Sequence, residues 1–466
     1  MKTHLSISII CFLLILLLGP LNVSWGEGKK ELTLNKALKT AFERNPSIAA
    51  SRFQIDAVDA MVTQATAAYY PQLSNMTNVY RVGGDLPDAL GGAMAHGGSG
   101  GIDLESPFNL YNTNLFVSQH LYDFGRTPGK LDQSRFNLSS TQKDLQGTIA
   151  DVVRDVKQAY FEVLKKQRLV KVEEESLEIH TKHLNQARAL HKAGLRPKID
   201  VTKGLVDRAK TKLKLVKAKF AVRTAKIDLE NILGDPPLPE EYTLATISSS
   251  PPEPTDMDSM ILQAIRLRPE VASLNDQVKS AEAQIRVAES GYWPTVTADG
   301  GYGLMNTKFP LKDYWLGGVT LKWEIFSGFE TKGKQREARA RHERLKAKLK
   351  KLELAVVREV SRAFIDVLEA SETIDTVKVT LDEAKENMRL ADGRYQAGLS
   401  NSIEFADAEL TLTSAKSDLV QATYQYLQSY ANLERAVGGL KSLAHTSEDQ
   451  KTSKLKTLST LSAGPS

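Results

Sequence analysis

Leu121-Tyr122-Asp123-Phe124-Gly125-Arg126 has a partner further along the chain, Ile325-Phe326-Ser327-Gly328, with Leu121-Tyr122 and Ile325-Phe326 separated by 204 positions. Ala193-Gly194 meets Ala397-Gly398, and Gly234 meets Gly438, at the same 204. Upstream the separation is larger. Arg44-Asn45-Pro46 answers to Arg268-Pro269, and Tyr70-Pro71 to Trp293-Pro294, both at 223. A spacing that holds from Leu121 to Gly438 marks an internal duplication. The 19 residues by which the two separations differ fall between positions 71 and 121, in the glycine-rich stretch Gly83 to Gly101. That loop is where the chain tolerates insertion.

The first residues read as an export signal. Lys2 precedes an apolar run, Ile7 to Leu18, too short to span a bilayer, and Ser24-Trp25-Gly26 offers small residues for cleavage. Residues 1–26 are therefore expected to be removed, leaving Glu27 as the start. The single cysteine, Cys11, lies inside that run with no small-residue lipid-attachment motif before it, so disulfides, thiol catalysis and cysteine metal sites are not expected in the mature chain. The formal charge is +5, or +4 without Lys2, and the bases are interleaved with acids. Such patterning reads as solvated helix faces and not as a nucleic-acid surface. No later segment has about 18 consecutive apolar residues, so entry into a membrane would have to be as a β-barrel.

Each copy begins with a short helix, Leu34 to Glu43 and Met257 to Leu267. A second helix follows, opened by Pro46 or Pro269 at the position where a missing N–H costs nothing, and stopped by Tyr70-Pro71 or Trp293-Pro294. The period then changes from 3.6 to 2. Val296, Ala298, Gly300, Tyr302 and Leu304 form one alternating set; Trp315, Gly317, Val319, Leu321, Trp323 and Ile325 form another. In the first copy Tyr111, Thr113, Leu115, Val117 and Leu121 alternate, and the strand before them is more weakly patterned. The expected strands are about 71–82, 110–122, 294–304 and 314–326. Each has about the 9–11 residues of a tilted membrane strand. Tyr69, Tyr70, Phe124, Tyr292, Trp293 and Phe326 lie at one end, with Tyr111, Tyr314 and Trp315 at the other, as interfacial girdles would. Taken alone, the strands fit two soluble hairpins equally well.

Beyond Gly125 and Gly328 a seven-residue repeat takes over: Ile149, Val156, Val163, Val170, Leu177, Leu184, and at the 204 offset Val360, Val367, Ile374, Leu381, Met388, Tyr395. A sustained repeat of this length calls for coiled-coil packing. The helices expected over Leu131 to Ala193 and Thr331 to Ala397 end at glycine and return to Leu233 and Val437. The hairpins thus span about 131–233 and 331–437, inside repeats covering 27–234 and 256–439. Residues 235–255, rich in Pro and Ser, join the repeats, and the Ser/Thr/Lys-rich 440–466 is expected to be disordered. The fold class is an α+β membrane protein of two tandem repeats. Four strands cannot close a barrel, whereas three chains would supply twelve.

In its duplicated layout, and in Tyr70-Pro71-Gln72-Leu73, Leu121 to Arg126, Ile325 to Gly328 and Tyr395-Gln396-Ala397-Gly398-Leu399-Ser400, the sequence resembles the TolC family of outer-membrane efflux proteins from about Leu32 to Gly439. The resemblance implies a homotrimer with a twelve-stranded β-barrel in the outer membrane of a Gram-negative bacterium, surrounded by outer-membrane lipid. A long α-helical barrel would continue it across the periplasm. It implies the exit duct of a tripartite efflux pump or type I secretion system, with a periplasmic adaptor (membrane fusion) protein and an inner-membrane transporter of RND or ABC type as partners. No catalysis and no cofactor are implied. A periplasmic coiled-coil adaptor and a purely structural coiled-coil protein are the competing classes, and the doubled hairpins and strands disfavour the first.

The hairpin tips would lie at the periplasmic end. There the resemblance sets Glu404 and Asp407 where family members place acidic rings lining a closed entrance, with Asp200 as a weaker candidate and Lys203 as the first-copy counterpart of Asp407. An acid near a helix start is equally explained by the helix dipole. Tyr395 matches a tyrosine used in holding the tip shut, and is also an ordinary seam position. Gly194, Leu195, Gly398, Leu399 and Ser400 are candidates for adaptor docking; Ser400 stands where some members carry a basic latch residue. His180 and His183 share a helix face without a third ligand and read as an exposed helix. Gly91-Gly92 and Gly97 to Gly101 lack the Lys-Ser/Thr of a phosphate loop.

Overall fold

The computed structural model describes residues 31–82, 107–234, 242–246 and 251–438. The expected signal segment, the glycine-rich loop, the tail and much of the linker lie outside the described residues. In chain order the elements are β1 (Glu31–Leu32), α1 (Leu34–Arg44), α2 (Pro46–Thr66), β2 (Gln72–Val82), β3 (Phe108–Tyr122), α3 (Arg126–Lys192), α4 (Lys198–Leu233), β4 (Thr243–Leu244), α5 (Met257–Leu267), α6 (Pro269–Glu289), β5 (Thr295–Asn306), β6 (Lys312–Lys322), α7 (Glu330–Gln396) and α8 (Ser402–Ala436).

One antiparallel sheet has the order β2-β3-β5-β6. Its register pairs Leu73 with Val117, Leu115 with Tyr302 and Tyr302 with Trp315, so the alternating sets fall on one face. The other face carries Asn112, Asn114, Ser118, Asp299 and Thr320. There Ser118 donates to Asp299 Oδ1 at 2.7 Å and Thr320 to its Oδ2 at 3.0 Å. An apolar face with a hydrogen-bonded polar face behind it is the cross-section of a membrane β-barrel wall. Tyr314 departs from the expected girdle. It pairs with Gly303 on the polar face, and a Cβ at Gly303 would meet its ring at 2.6 Å. The last ladder ends at Lys322, short of 326, leaving Trp323 to donate from Nε1 to Tyr292 O at 3.1 Å.

α3 and α7 are each 67 residues, about 100 Å at 1.5 Å rise per residue. α3 begins five residues before the seven-residue repeat suggested, at Arg126 and not 131, and α7 one residue before, at Glu330 and not 331. Each opens through two consecutive left-handed residues, Phe124 (φ 52°) and Gly125 (φ 95°) in one copy, Gly328 (φ 61°) and Phe329 (φ 67°) in the other. These positions are 204 apart, yet glycine fills the second in one copy and the first in the other. Asp123, buried at the first of these turns, accepts from Thr127 N at 2.7 Å and closes the helix start.

Helices pack as one layer. Near the sheet the order is α2-α3-α6-α7; toward the far end it is α4-α3-α8-α7. The halves of the layer meet end to end at two equivalent joints. Asn45 donates from Nδ2 to Ile232 O at 2.8 Å, and Arg268 from Nε to Ala436 O at 2.6 Å. The donors are 223 apart and the acceptors 204, so the two sequence spacings meet at these bonds. Gly234 (φ +78°) ends α4 against this joint, where a Cβ would lie 2.5 Å from Arg44 O.

The sequence reading missed a two-stranded parallel sheet pairing β1 with β4, which ties the start of the described chain to the region between repeats. The Tyr160 hydroxyl sits between Leu32 O at 3.0 Å and Ala245 O at 2.8 Å. Its ring is fully buried, and burial pushes its pKa up to about 12. The main core surrounds it, drawing Val156, Val163, Leu229, Val360, Val367 and Leu433 from both repeats.

Candidate functional site

The tips of the two helical hairpins, at the end of α3 and α7 away from the sheet, hold the sequence-predicted site residues. Both turns are built alike. Gly194 (φ +74°) and Gly398 (φ +77°) supply the left-handed residue; Leu195 N bonds Leu190 O at 2.9 Å, and Leu399 N bonds Arg394 O at 2.8 Å, the 6→1 bond of a Schellman end. Leu195 and Leu399 stand 71% and 74% exposed at the extremity. α8 then starts on Asn401, whose Oδ1 accepts from Ile403 N at 2.9 Å and Glu404 N at 3.1 Å.

Between the tips is a compact polar and aromatic joint. Arg196 donates from Nη2 to Ser400 O at 2.7 Å, and its guanidinium lies 5.1 Å from the centre of the Tyr395 ring. Tyr395 is fully buried, and its hydroxyl has no hydrogen-bond partner among the described residues. Burial, helped by Asp200, pushes that hydroxyl's pKa up. Asp200 is buried as well and accepts from Ser402 Oγ at 3.0 Å. His183 stacks on Phe405 at 3.9 Å between centroids and lies 4.6 Å from Tyr395.

The structure therefore brings Tyr395, Asp200 and Ser400 together, and leaves Glu404 and Asp407 on the exposed face of α8. Glu404 pairs with Arg394 at 3.0 Å. Sequence reasoning missed Arg196, Ser402 and Phe405. The expectation that His180 and His183 lie on an exposed helix is wrong: both are buried. His180 Nε2 meets Glu409 Oε2 at 2.9 Å, and Ser176 donates to Glu409 Oε1 at 2.5 Å, joining α3 to α8. Burial alone would raise the Glu409 pKa, but the bonds from His180, Ser176 and Thr413 outweigh it and hold the carboxyl below its ordinary value. For His183, burial favours the neutral ring and lowers the pKa. Among the described residues no group of His, Cys, Asp and Glu has a metal-binding arrangement, and no helix is long and apolar enough to cross a membrane.

With this geometry in view, comparison with known proteins is decisive. The profile of the family described as Outer membrane efflux protein matches residues 37–235 and 260–439. The chain belongs to that family. The two matched stretches correspond to the two copies, and the members' place is the outer membrane. Among relatives, the toluene efflux pump outer membrane protein TtgC of Pseudomonas putida is 22% identical over 426 residues, 89% of this chain and 84% of that one. The solved outer-membrane channel OprN superposes with a TM-score of 0.75 at 19% identity, covering 87% of this chain and 90% of its own. The Campylobacter jejuni CmeC outer membrane channel gives 0.74 at 16%, covering 87% and 85%. As a family member the chain is an outer-membrane efflux channel: a transport protein that works with other pump components, not one of the competing adaptor or structural classes.

Proposed function

We propose that three copies of this chain form the exit duct of a tripartite efflux pump or type I secretion system. The observation that carries this reading is a sheet with one apolar face whose edge strands β2 and β6 have no further strand partner among the described residues, continuous with a helical layer whose edge helices likewise have none there. A lipid-facing sheet cannot leave edges unpaired, and four strands from each of three chains reach a closed twelve-stranded wall. The polar face would line the lumen. The tips, furthest from the membrane strands, form the periplasmic entrance. Glu404 and Asp407 ring its neck, and Tyr395 with Asp200 sets the joint that holds each tip closed. Leu195 and Leu399, with the turns at Gly194, Gly398 and Ser400, present apolar contact to a periplasmic adaptor. That adaptor in turn joins an inner-membrane transporter of RND or ABC type. Extraction of the membrane fraction followed by size analysis tests the reading: a detergent-dependent trimer is expected, and recovery as a soluble monomer overturns it.

A further inference from the structure

Where β6 gives way to α7, the surface is apolar and uncovered among the described residues. Trp323, Ile325, Phe326 and Phe329 are 53%, 81%, 74% and 71% exposed. Phe326 and Phe329 meet edge to face, with ring centres 5.6 Å apart. The matching corner of the first copy is closed. There Phe124 stacks on Trp293 at 5.3 Å, and Gly125 stands at the position of Phe329. Exposed aromatics crowded at the end of a membrane strand belong at the level of the lipid headgroups.

From that corner α7 continues with two basic stripes. Lys332, Arg336, Arg339, Glu343, Lys346 and Lys350 follow at alternating steps of four and three residues and so share one face. Lys334, Glu337, Arg341, Arg344, Lys348 and Lys351 do the same on a second face. The sheet tells the faces apart. Thr320, Lys322 and Glu324 keep the parity of the polar face, and Glu324 lines a groove of about 530 Å³ with Lys334, Glu337 and Arg341. The second stripe is therefore on the side of the polar face, and the first on the side of the apolar one. Within the first stripe Arg339 is held by Glu289 at 3.0 Å, Lys346 by Glu343 at 3.3 Å and Lys350 by Glu353 at 3.3 Å. Lys332 and Arg336 have no ion pair among the described residues. They are the two nearest the sheet, about 3 and 9 Å along α7 from its first residue. Their counterparts in the first copy, 204 positions earlier, are Pro128 and Asp132, and Asp132 accepts from Arg286 at 2.6 Å. Phe329, Lys332 and Arg336 thus occur together in one copy and are all absent from the other.

Resting on the channel reading, which sets the apolar face of the sheet against lipid, we propose that this corner binds an anionic glycerophospholipid of the periplasmic leaflet. The headgroup phosphate sits between Lys332 and Arg336, and the acyl chains run over Ile325 and Phe326 along the apolar face. Arg336 offers a planar fork that matches a phosphate, and Lys332 a compact charge. A negatively charged leaflet attracts bases held within a Debye length, about 10 Å at 0.1 M salt, and both residues fall inside it. A zwitterionic headgroup carries its own ammonium and gains less from two unpaired bases. Free phosphate gains nothing from the aromatic corner, so the lipid is the ligand that uses both halves of the site. The groove-side stripe faces away from the bilayer and takes no part.

Native mass spectrometry of the full-length protein in detergent, with phosphatidylglycerol and phosphatidylcholine of equal chain length added together, reads the preference directly. Wild type is expected to retain phosphatidylglycerol over phosphatidylcholine by about threefold or more, and excess inorganic phosphate should not displace it. K332Q with R336Q should bring the ratio close to one, with helix content by circular dichroism unchanged. K332R with R336K keeps both charges and should keep most of the preference, which separates lost charge from lost folding. R344Q with K348Q removes two bases from the groove side, also without ion pairs among the described residues, and should leave the ratio as in wild type. Equal retention of the two lipids by wild type overturns the site, as does an unchanged ratio in K332Q with R336Q. An equal fall in R344Q with K348Q, or displacement by phosphate, does the same. Should K332Q with R336Q lose its oligomeric state at an unchanged lipid ratio, another copy covers the corner and the site is again overturned. A wild-type chain that binds neither lipid and stays soluble without detergent would sink the channel reading itself. A detergent-dependent chain with no headgroup preference would sink only this site.

Discussion

Glu409 shows how a single buried carboxylate can bind two hairpins. It accepts from His180, Ser176 and Thr413 in a site from which water is excluded, so its removal strands donors that no solvent can satisfy. Glu409→Gln should cost about 1–3 kcal/mol near neutral pH. The pH dependence has a fixed sign. Because the folded carboxyl titrates below its ordinary value, its contribution is present above the unfolded pKa and is lost as pH falls through the folded one. The deficit of the variant in thermal unfolding should therefore be full at neutral pH and shrink toward zero below about pH 4; a deficit independent of pH would refute this. Sequence held a clue that the apolar pattern hid. His180 lies three residues after Leu177 in the seven-residue series, the second core position of each heptad. A polar residue there looks like surface until its partner, 229 positions away on α8, is known.

At the scale of elements, the joints between helices decide whether the column is continuous. Arg268 holds the second joint with its Nε on Ala436 O and a two-pronged pair to Glu359 at 2.8 and 2.7 Å. Beside it, half-buried Arg435 bonds Asp151 at 2.9 Å and also Glu270. Asn45 holds the first joint with one bond to Ile232 O and two accepted from Ser47 and Ile48. Removing Arg268 leaves the end of α8 uncapped and Glu359 unpaired. Arg268→Ala should cost about 2–4 kcal/mol and Asn45→Ala about 1–2 kcal/mol. Amide exchange localises the effect: protection in the last turn of α8, Leu433 to Ala436, should drop in the first variant, and equal loss along all of α8 would contradict the joint's role. Helices, turns and strand faces were legible, since periods of 7 and 2 and a glycine after each long helix are local signals. The pairing of β1 with β4 was not, because two-residue strands carry no period. Nor were the paired left-handed residues at 124–125 and 328–329, since one of each pair is phenylalanine, a residue ordinarily excluded there.

For the whole molecule, duplication explains both the likeness and the division of labour between copies. The shared 204 spacing keeps α3 and α7 equal in length, so that both tips reach the same level. Between copies the charges diverge: Lys203 stands where the second copy has Asp407. In a trimer the second-copy tips alone would then bring acids to the neck, three from Asp407 and three from Glu404. These do not weigh equally. Arg394 sits 3.0 Å from Glu404 and offsets much of its field, whereas Asp407 has no ion pair among the described residues. A ring of uncompensated carboxylates in a narrow aqueous neck concentrates cations and repels anions. In planar-bilayer recordings Asp407→Asn should therefore lower the cation-to-anion permeability ratio by about twofold or more, Glu404→Gln by less, and Arg394→Gln should raise it. Screening sharpens the comparison. The differences should fade between about 0.1 and 1 M salt as the Debye length falls from about 10 to 3 Å. Unchanged selectivity in Asp407→Asn at low salt would place that face of α8 away from the conducting path.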